Sequence, residues 1–217
     1  MAAIIFDLDG VLIDTEGLQY RAYSQVLAAF GVRVTLEEYA RHWIAAGRGP
    51  EYAVAAYQLP VSADELRARK HPVYHGILRV EARLMPAARE TLTRCRARYP
   101  LGLATNSNRA DVEYVMDAFD LRGAFTATIA REDYVQAKPA PDAYLAAAAA
   151  LGQAPAQCVV VEDSHRGVEA ARRAGAIPVA VPNAFTRGND FSAAVRVLDA
   201  LDALTPELVD GLVRQPA

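Results

Sequence analysis

The stretch IIFDLDGVLIDT, residues 4–15, sets two carboxylates, Asp7 and Asp9, directly after a short apolar run that begins at Ala3. Ala3–Asp7 has the length and unbroken apolar character of a buried strand, and Gly10 ends it. Carboxylates at the end of such a strand are costly to bury unless a cation shares the space or one of them is protonated. If the extended path continues, Asp7 and Asp9 point to one side and Leu8 to the other. The pair alone allows three readings: a divalent-cation site, a nucleophile with its acid, or a capping Asp followed by a turn Asp.

Four later stretches look similar: Leu101–Thr105, Phe125–Ala130, Cys158–Glu162 and Ile177–Val181. Continuous rather than alternating runs predict strands covered on both faces, as in a parallel sheet. Helical patterns separate them. Ala110–Phe119 carries Val112, Val115, Met116 and Phe119 at helical spacing, while Asp142–Leu151 and Ser164–Ala174 each stop at a glycine. Thr205-Pro206-Glu207 opens a last helix, with Thr as cap and Pro in the first turn. This alternation predicts an α/β fold: a doubly wound, Rossmann-like parallel sheet.

From 15 to 83 the alternation stops and only helices are readable. Gly17–Phe30 has a helical apolar stripe, and Thr35-x-x-Glu38 and Ser62-x-x-Glu65 are capping boxes. Pro72 is expected to kink the last of these helices. The reading is an all-helical domain inserted after the first strand, dividing the chain into 1–14, 15–83 and 84–217.

Three more polar clusters fall just beyond strands. Thr105-Asn106-Ser107-Asn108 runs into a helix start, where backbone N–H groups can hold an oxyanion. Lys138 opens Lys138-Pro139-Ala140-Pro141-Asp142, whose two prolines present it from a stiff loop. Glu162-Asp163-Ser164 is a second acidic pair, followed by a helix carrying Gly167. Each has an ordinary reading as an N-cap, a surface lysine or a helix start. Together with Asp7 and Asp9 they decorate four successive strand ends, the edge at which α/β sheets bind ligands. Carboxylates for a hard cation, a hydroxyl and a lysine for an anion, and a carboxylate for chemistry suit Mg²⁺ and a phosphate.

At 217 residues, 53% hydrophobic, the chain can bury a full core, and its net charge of −3 offers no basic field for nucleic acid. The densest basic stretch, RARKH at 67–71, reads as a solvated helix face. Cys95 and Cys158 sit in apolar patterns and read as buried thiols. No apolar run has the length of a membrane span, and charge arrives by position 7. These features lead us to expect a cytoplasmic protein, a monomer or weak homo-oligomer, whose partner is a small phosphorylated metabolite and neither a membrane nor nucleic acid. His71 and His75 are four apart but lack a third ligand. No GxSxG elbow, P-loop or GxGxxG is present.

FDLDGVLIDT (6–15), LATNSN (103–108), KPAPD (138–142) and VVEDSHRGVEAARRAGA (160–176), in that order, resemble the haloacid dehalogenase (HAD) superfamily. The likeness is to its helical-cap branch, in the beta-phosphoglucomutase-like and phosphatase subgroup. The resemblance implies Asp7 as a nucleophile that forms an aspartyl-phosphate and Asp9 as the general acid, its main-chain carbonyl helping to bind Mg²⁺. It implies Thr105 and Asn106 as phosphoryl-binding groups and Lys138 as the neutralising cation. Asp163 would ligate Mg²⁺, with Glu162 a direct or water-mediated partner. In the helical insertion, Lys70 matches a substrate-facing lysine of the subgroup. Gln19 stands where the mutase has a histidine, and in AAGRGPEY (45–52) Pro50 replaces its arginine, with Gly47 and Arg48 just before. These departures favour hydrolysis of a small phosphate ester. A phosphomutase is the runner-up, and a non-catalytic phosphate-binding module is a third reading.

Overall fold

The computed structural model describes residues 2–214. Six parallel strands form one sheet in the order β3-β2-β1-β4-β5-β6. They are β1 (Ala3–Phe6), β2 (Leu101–Ala104), β3 (Ala127–Ile129), β4 (Cys158–Glu162), β5 (Ile177–Ala180) and β6 (Arg196–Val197). β1 is central, with Ile4 in register with Leu101 on one side and Val159 on the other. Every residue of β1, β2 and β4 is buried, as their unbroken apolar runs predict for strands covered on both faces.

Two strands depart from the expectation. β3 is three residues long, not six, and half-buried: it lies at the sheet edge and pairs only with β2. β6 was not expected, because two exposed residues make no apolar run; its pairing with β5 defines it.

The helices of this sheet unit are α5 (Ala88–Arg96), α6 (Arg109–Ala118), α7 (Asp142–Ala150), α8 (His165–Arg173) and α9 (Pro206–Arg214), following four in the insertion. α7 buries Ala143, Tyr144, Ala147 and Ala148 together with Ile5 and Val160, so small side chains bring the helix close to the sheet. Ser164 caps α8 by accepting from the Gly167 N–H at 3.2 Å.

Asp14–Arg83 form a second compact unit. It contains α1 (Glu16–Ala28), α2 (Leu36–Tyr39), a π-helical turn Ala40–Ala45, α3 (Gly49–Ala56) and α4 (Ala63–Glu81). Both capping boxes form: Thr35 and Ser62 accept from the Glu38 and Glu65 N–H groups, whose carboxylates reach back. α4 runs through Pro72 to Glu81. A proline forgoes one helical hydrogen bond, and α4 is held on both sides of it by buried Leu66, Tyr74 and Leu78. The unit has its own core of Tyr23, Val26, Leu27, Val34, Tyr39, Ala53, Leu59 and Leu66, against which Trp43 packs.

Glu38 anchors this unit by more than its capping box. Its carboxylate accepts from the Tyr57 hydroxyl at 2.6 Å and the Tyr52 hydroxyl at 3.1 Å. Those bonds, Tyr57 first, and the Thr35 N–H hold its pKa down to about 2. A depressed carboxylate contributes stability above its unfolded value, and that stability is lost as pH falls toward the folded value. Glu38→Ala is therefore expected to lower stability at pH 7 by about 1–2 kcal/mol. Thermal unfolding of both proteins at pH 7 and pH 3 checks this: the gap should shrink at pH 3, and a gap that does not change with pH would refute the electrostatic account.

Candidate active site

β1 stops at Phe6, and the backbone N–H of Asp7 still reaches the Val161 carbonyl of β4 at 2.9 Å. The chain then turns: Leu12 and Ile13 donate to the Leu8 carbonyl, and Gly10 donates to Ile13. Gly10 has φ +76°, and a Cβ there would fall 2.3 Å from Asp163 Oδ2 and 2.6 Å from Asn183 Nδ2. Only glycine permits both the turn and this approach. The extended path expected through Asp9 is therefore broken, and the two carboxylates take different partners. Asp7 Oδ1 accepts from Lys138 Nζ at 2.6 Å; Asp9 Oδ2 accepts from Ser107 Oγ at 2.6 Å and Thr105 Oγ1 at 3.3 Å.

Lys138 is 4% exposed. Its ammonium donates to Asp7, to Glu162 Oε1 at 2.7 Å and to the Ala104 carbonyl at 2.9 Å, and it lies 4.6 Å from the centre of the Tyr144 ring. The loop that carries it is tied down by the Asn106 side-chain carbonyl, which accepts from the Lys138 N–H at 3.2 Å, and by Arg166, which donates to the Lys138 carbonyl. Burial works to strip the Lys138 proton, but Asp7 and Glu162 overcome it and hold the pKa above its ordinary value. Burial pushes Asp7 up to about 8, against the pull of Lys138, with Glu162 and Asp9 adding to the rise. At neutral pH, burial thus favours the protonated form of Asp7 despite the neighbouring ammonium.

Glu162 is 1% exposed and saturated with donors. Lys138 and the Tyr144 hydroxyl donate to Oε1; the Asp163 and Ser164 N–H groups and the Ser164 hydroxyl donate to Oε2. A carboxylate offers about four lone-pair sites, so this set fills it. A Cβ at Gly167 would fall 1.8 Å from the Glu162 carboxyl carbon, so α8 can approach this carboxylate only with glycine at that position. Burial keeps the Tyr144 phenol protonated, its pKa well above the ordinary value, and therefore a donor. Tyr144→Phe keeps the ring under Lys138 and removes that donor. We expect it to lower stability by about 2 kcal/mol in urea unfolding and to reduce turnover without raising KM; an unchanged unfolding midpoint would show the contact to be idle.

Asp7, Glu162 and Asp163, all buried, each offer one carboxylate oxygen within 4.8 Å of the others. Hard oxygen donors at this spacing fit a small divalent cation. Asp7 and Asp163 fit most directly, whereas Glu162 would have to exchange donors to bind one.

The fold thus gathers Asp7, Asp9, Thr105, Lys138, Glu162 and Asp163 in one hydrogen-bonded neighbourhood at the carboxyl ends of β1, β2 and β4. Asn106 belongs to it through Lys138, but its side-chain carbonyl also accepts from Tyr134 at 2.6 Å. Asn108 is the residue that caps α6. Sequence reasoning missed Tyr144 and Asn183. The available signals were a lone aromatic hydroxyl on an alanine-rich helix and an Asn two residues beyond the fifth apolar run.

The other candidates lie in the helical unit. Lys70 Nζ donates to Gln19 Oε1 at 2.6 Å and sits over the Tyr74 and Tyr23 rings at 4.4 and 5.4 Å. Gly47 has φ +62°. Exposed Arg48 precedes α3, whose first turn contains Pro50, and lines a hollow of about 330 Å³ with His42, Ala46, Glu51 and Tyr52. Among the described residues no helix is long and apolar enough to cross a membrane.

The model of the haloacid dehalogenase-like hydrolase family matches residues 1–175. The chain belongs to that family. It is 33% identical to the protein CbbY of Rhodobacter capsulatus, over 98% of this chain and 99% of that one. It is 30% identical to the fructose-1-phosphate phosphatase YqaB of Escherichia coli K12, over 80% of this chain and 93% of the relative. Among solved structures, CbbY from Rhodobacter sphaeroides in complex with phosphate superposes with a TM-score of 0.84 at 27% identity, covering 97% of this chain and all of that one.

Proposed function

We propose that the protein is a Mg²⁺-dependent phosphatase that hydrolyses a small phosphate monoester, a sugar phosphate or similar metabolite, through an aspartyl-phosphate on Asp7. The observation that carries the reading is the pairing of buried Asp7 with Lys138 at 2.6 Å, beside a second buried carboxylate, Asp163. The related phosphatases and the phosphate complex of a similar structure support its chemical class.

In this reading Asp7 Oδ2 attacks phosphorus while Oδ1 stays on the Lys138 ammonium. That ammonium, fixed by Glu162 and the Ala104 carbonyl, meets the developing phosphoryl charge without reorganising. Asp9 passes its proton to the leaving-group oxygen, then takes one from the water that cleaves the acyl phosphate. Ser107 and Thr105 hold Asp9 for both steps. Asp7 and Asp163 would hold Mg²⁺, which supplies charge neutralisation between a carboxylate nucleophile and a phosphate dianion. The helical unit, with Lys70, Arg48, Gly47 and Gln19, would act as a cap that selects the leaving group. Gln19 has no proton to exchange and is bonded to Lys70, which favours hydrolysis over a mutase cycle.

The test is phosphate release from a panel of phosphate esters, with Mg²⁺ and with excess chelator. The panel includes both anomers of glucose 1-phosphate, with glucose 6-phosphate followed in parallel. Release that requires Mg²⁺ is the expected result. Sugar isomerisation without release would move the assignment to a phosphomutase, and release undiminished by chelator would refute the metal dependence.

A further inference from the structure

The loop after β5 contributes a side chain to the acidic cluster. Asn183 Nδ2 donates to Asp163 Oδ2 at 2.7 Å and to the Gly10 carbonyl at 3.3 Å. Its amide orientation is determined by its own loop. Oδ1 accepts from the Phe185 N–H at 2.9 Å and the Thr186 N–H at 3.3 Å, so the NH₂ end must face the two acceptors, Asp163 and Gly10. The Asn183 N–H is itself accepted by the hydroxyl of Thr186, which is 1% exposed, so the turn that carries the amide is closed on both sides. The space that a Cβ on Gly10 would take is filled by the Asp163–Asn183 contact. Three segments distant in sequence therefore interlock around one carboxylate.

Asp163 extends from a backbone position fixed by the end of β4, and the remaining freedom of its carboxylate is rotation about its side-chain bonds. A donor on Oδ2 removes that freedom and sets the direction of Oδ1. Partners that orient a ligand in this way contribute about 10–100-fold in metal affinity.

We infer that Asn183 is a positioning residue that presets the Asp163 carboxylate for a divalent cation and locks the β5 loop onto the Gly10 turn. The inference rests on the proposed cation site and assigns Asn183 no contact with substrate.

Calorimetric titration of Mg²⁺ into the full chain, with melting temperature measured in chelator, tests it. Asn183→Ala removes both functions of the amide. Asn183→Ser keeps an acceptor for the Phe185 and Thr186 N–H groups but is too short to reach Asp163. Both variants are expected to bind Mg²⁺ about 10–100-fold more weakly than wild type. The Ser variant, which keeps the turn's acceptor but loses the contact to Gly10, should melt between the Ala variant and wild type in chelator. Wild-type Mg²⁺ affinity in the Ser variant would overturn the inference while leaving the cation site standing. Absence of Mg²⁺ binding by the wild type would overturn the cation site and the inference with it.

Discussion

Asp7→Asn should abolish phosphate release from every substrate, by a factor on the order of 10⁴–10⁶ in kcat, the scale seen when a covalent nucleophile is removed. The amide has the shape of the carboxylate but cannot form an acyl phosphate. The loss should be uniform across substrates, because the role proposed for Asp7 is in the chemistry and not in leaving-group selection. Substitutions at Arg48 or Lys70, by contrast, should redistribute substrate preference. Folding provides the control. Burial raises the Asp7 pKa to about 8, so ionising it costs stability as pH rises from its ordinary range through that value. Asparagine has no such cost, and the variant should melt no lower than wild type at pH 8 in chelator. Turnover by rigorously purified Asp7→Asn protein within about a hundredfold of wild type would remove Asp7 as nucleophile; a melting temperature far below wild type would mean that the lost turnover reports misfolding.

The second large effect is on stability as well as rate. Lys138→Ala leaves Asp7 and Glu162, both buried, facing the space where their shared ammonium sat. Breaking a buried ion pair by removing one partner typically costs about 3–5 kcal/mol. Asp7, already raised to about 8, then stays protonated and Glu162 alone is left uncompensated, which places the expected loss near the lower end, about 3 kcal/mol at neutral pH. Equilibrium urea unfolding in chelator measures it. Turnover should fall by about 10²–10³, as when a preorganised electrostatic group is removed. A variant that unfolds at the wild-type urea concentration would contradict the reading of Lys138 as the cation on which two buried carboxylates depend.

Much of the sheet can be read from local pattern. β1, β2, β4 and β5 begin at their expected residues, because a strand buried on both faces must be apolar throughout, and such a run is visible without knowing its neighbours. The capping boxes at Thr35 and Ser62 are equally legible, since each is completed within four residues. β3 and β6 are less so. Each exists through pairing with one neighbour, and its own residues carry little of the information.

The same division runs through the site. Asp7, Glu162 and Asp163 stand out in the sequence because charged residues at the ends of apolar strands need a reason to be there, and Lys138 because two prolines stiffen the loop that presents it. What their neighbours do is not visible. That Glu162 is filled with donors, that Gly167 makes room for it, and that Asp7 and Asp9 part toward different partners are consequences of side chains arriving from distant segments.

By itself, then, the sequence determined the α/β class, most strand positions, the local helix caps and the set of acidic and basic groups available at the strand ends. Each of these follows from interactions within a few residues or from the requirement that buried segments be apolar. Only the tertiary structure decided which oxygen each donor takes, and so that Tyr144 and Asn183 belong with the carboxylates. Hydrogen bonds between segments as far apart as 7 and 138 or 10 and 183 depend on strand order and loop path, which no local spacing encodes.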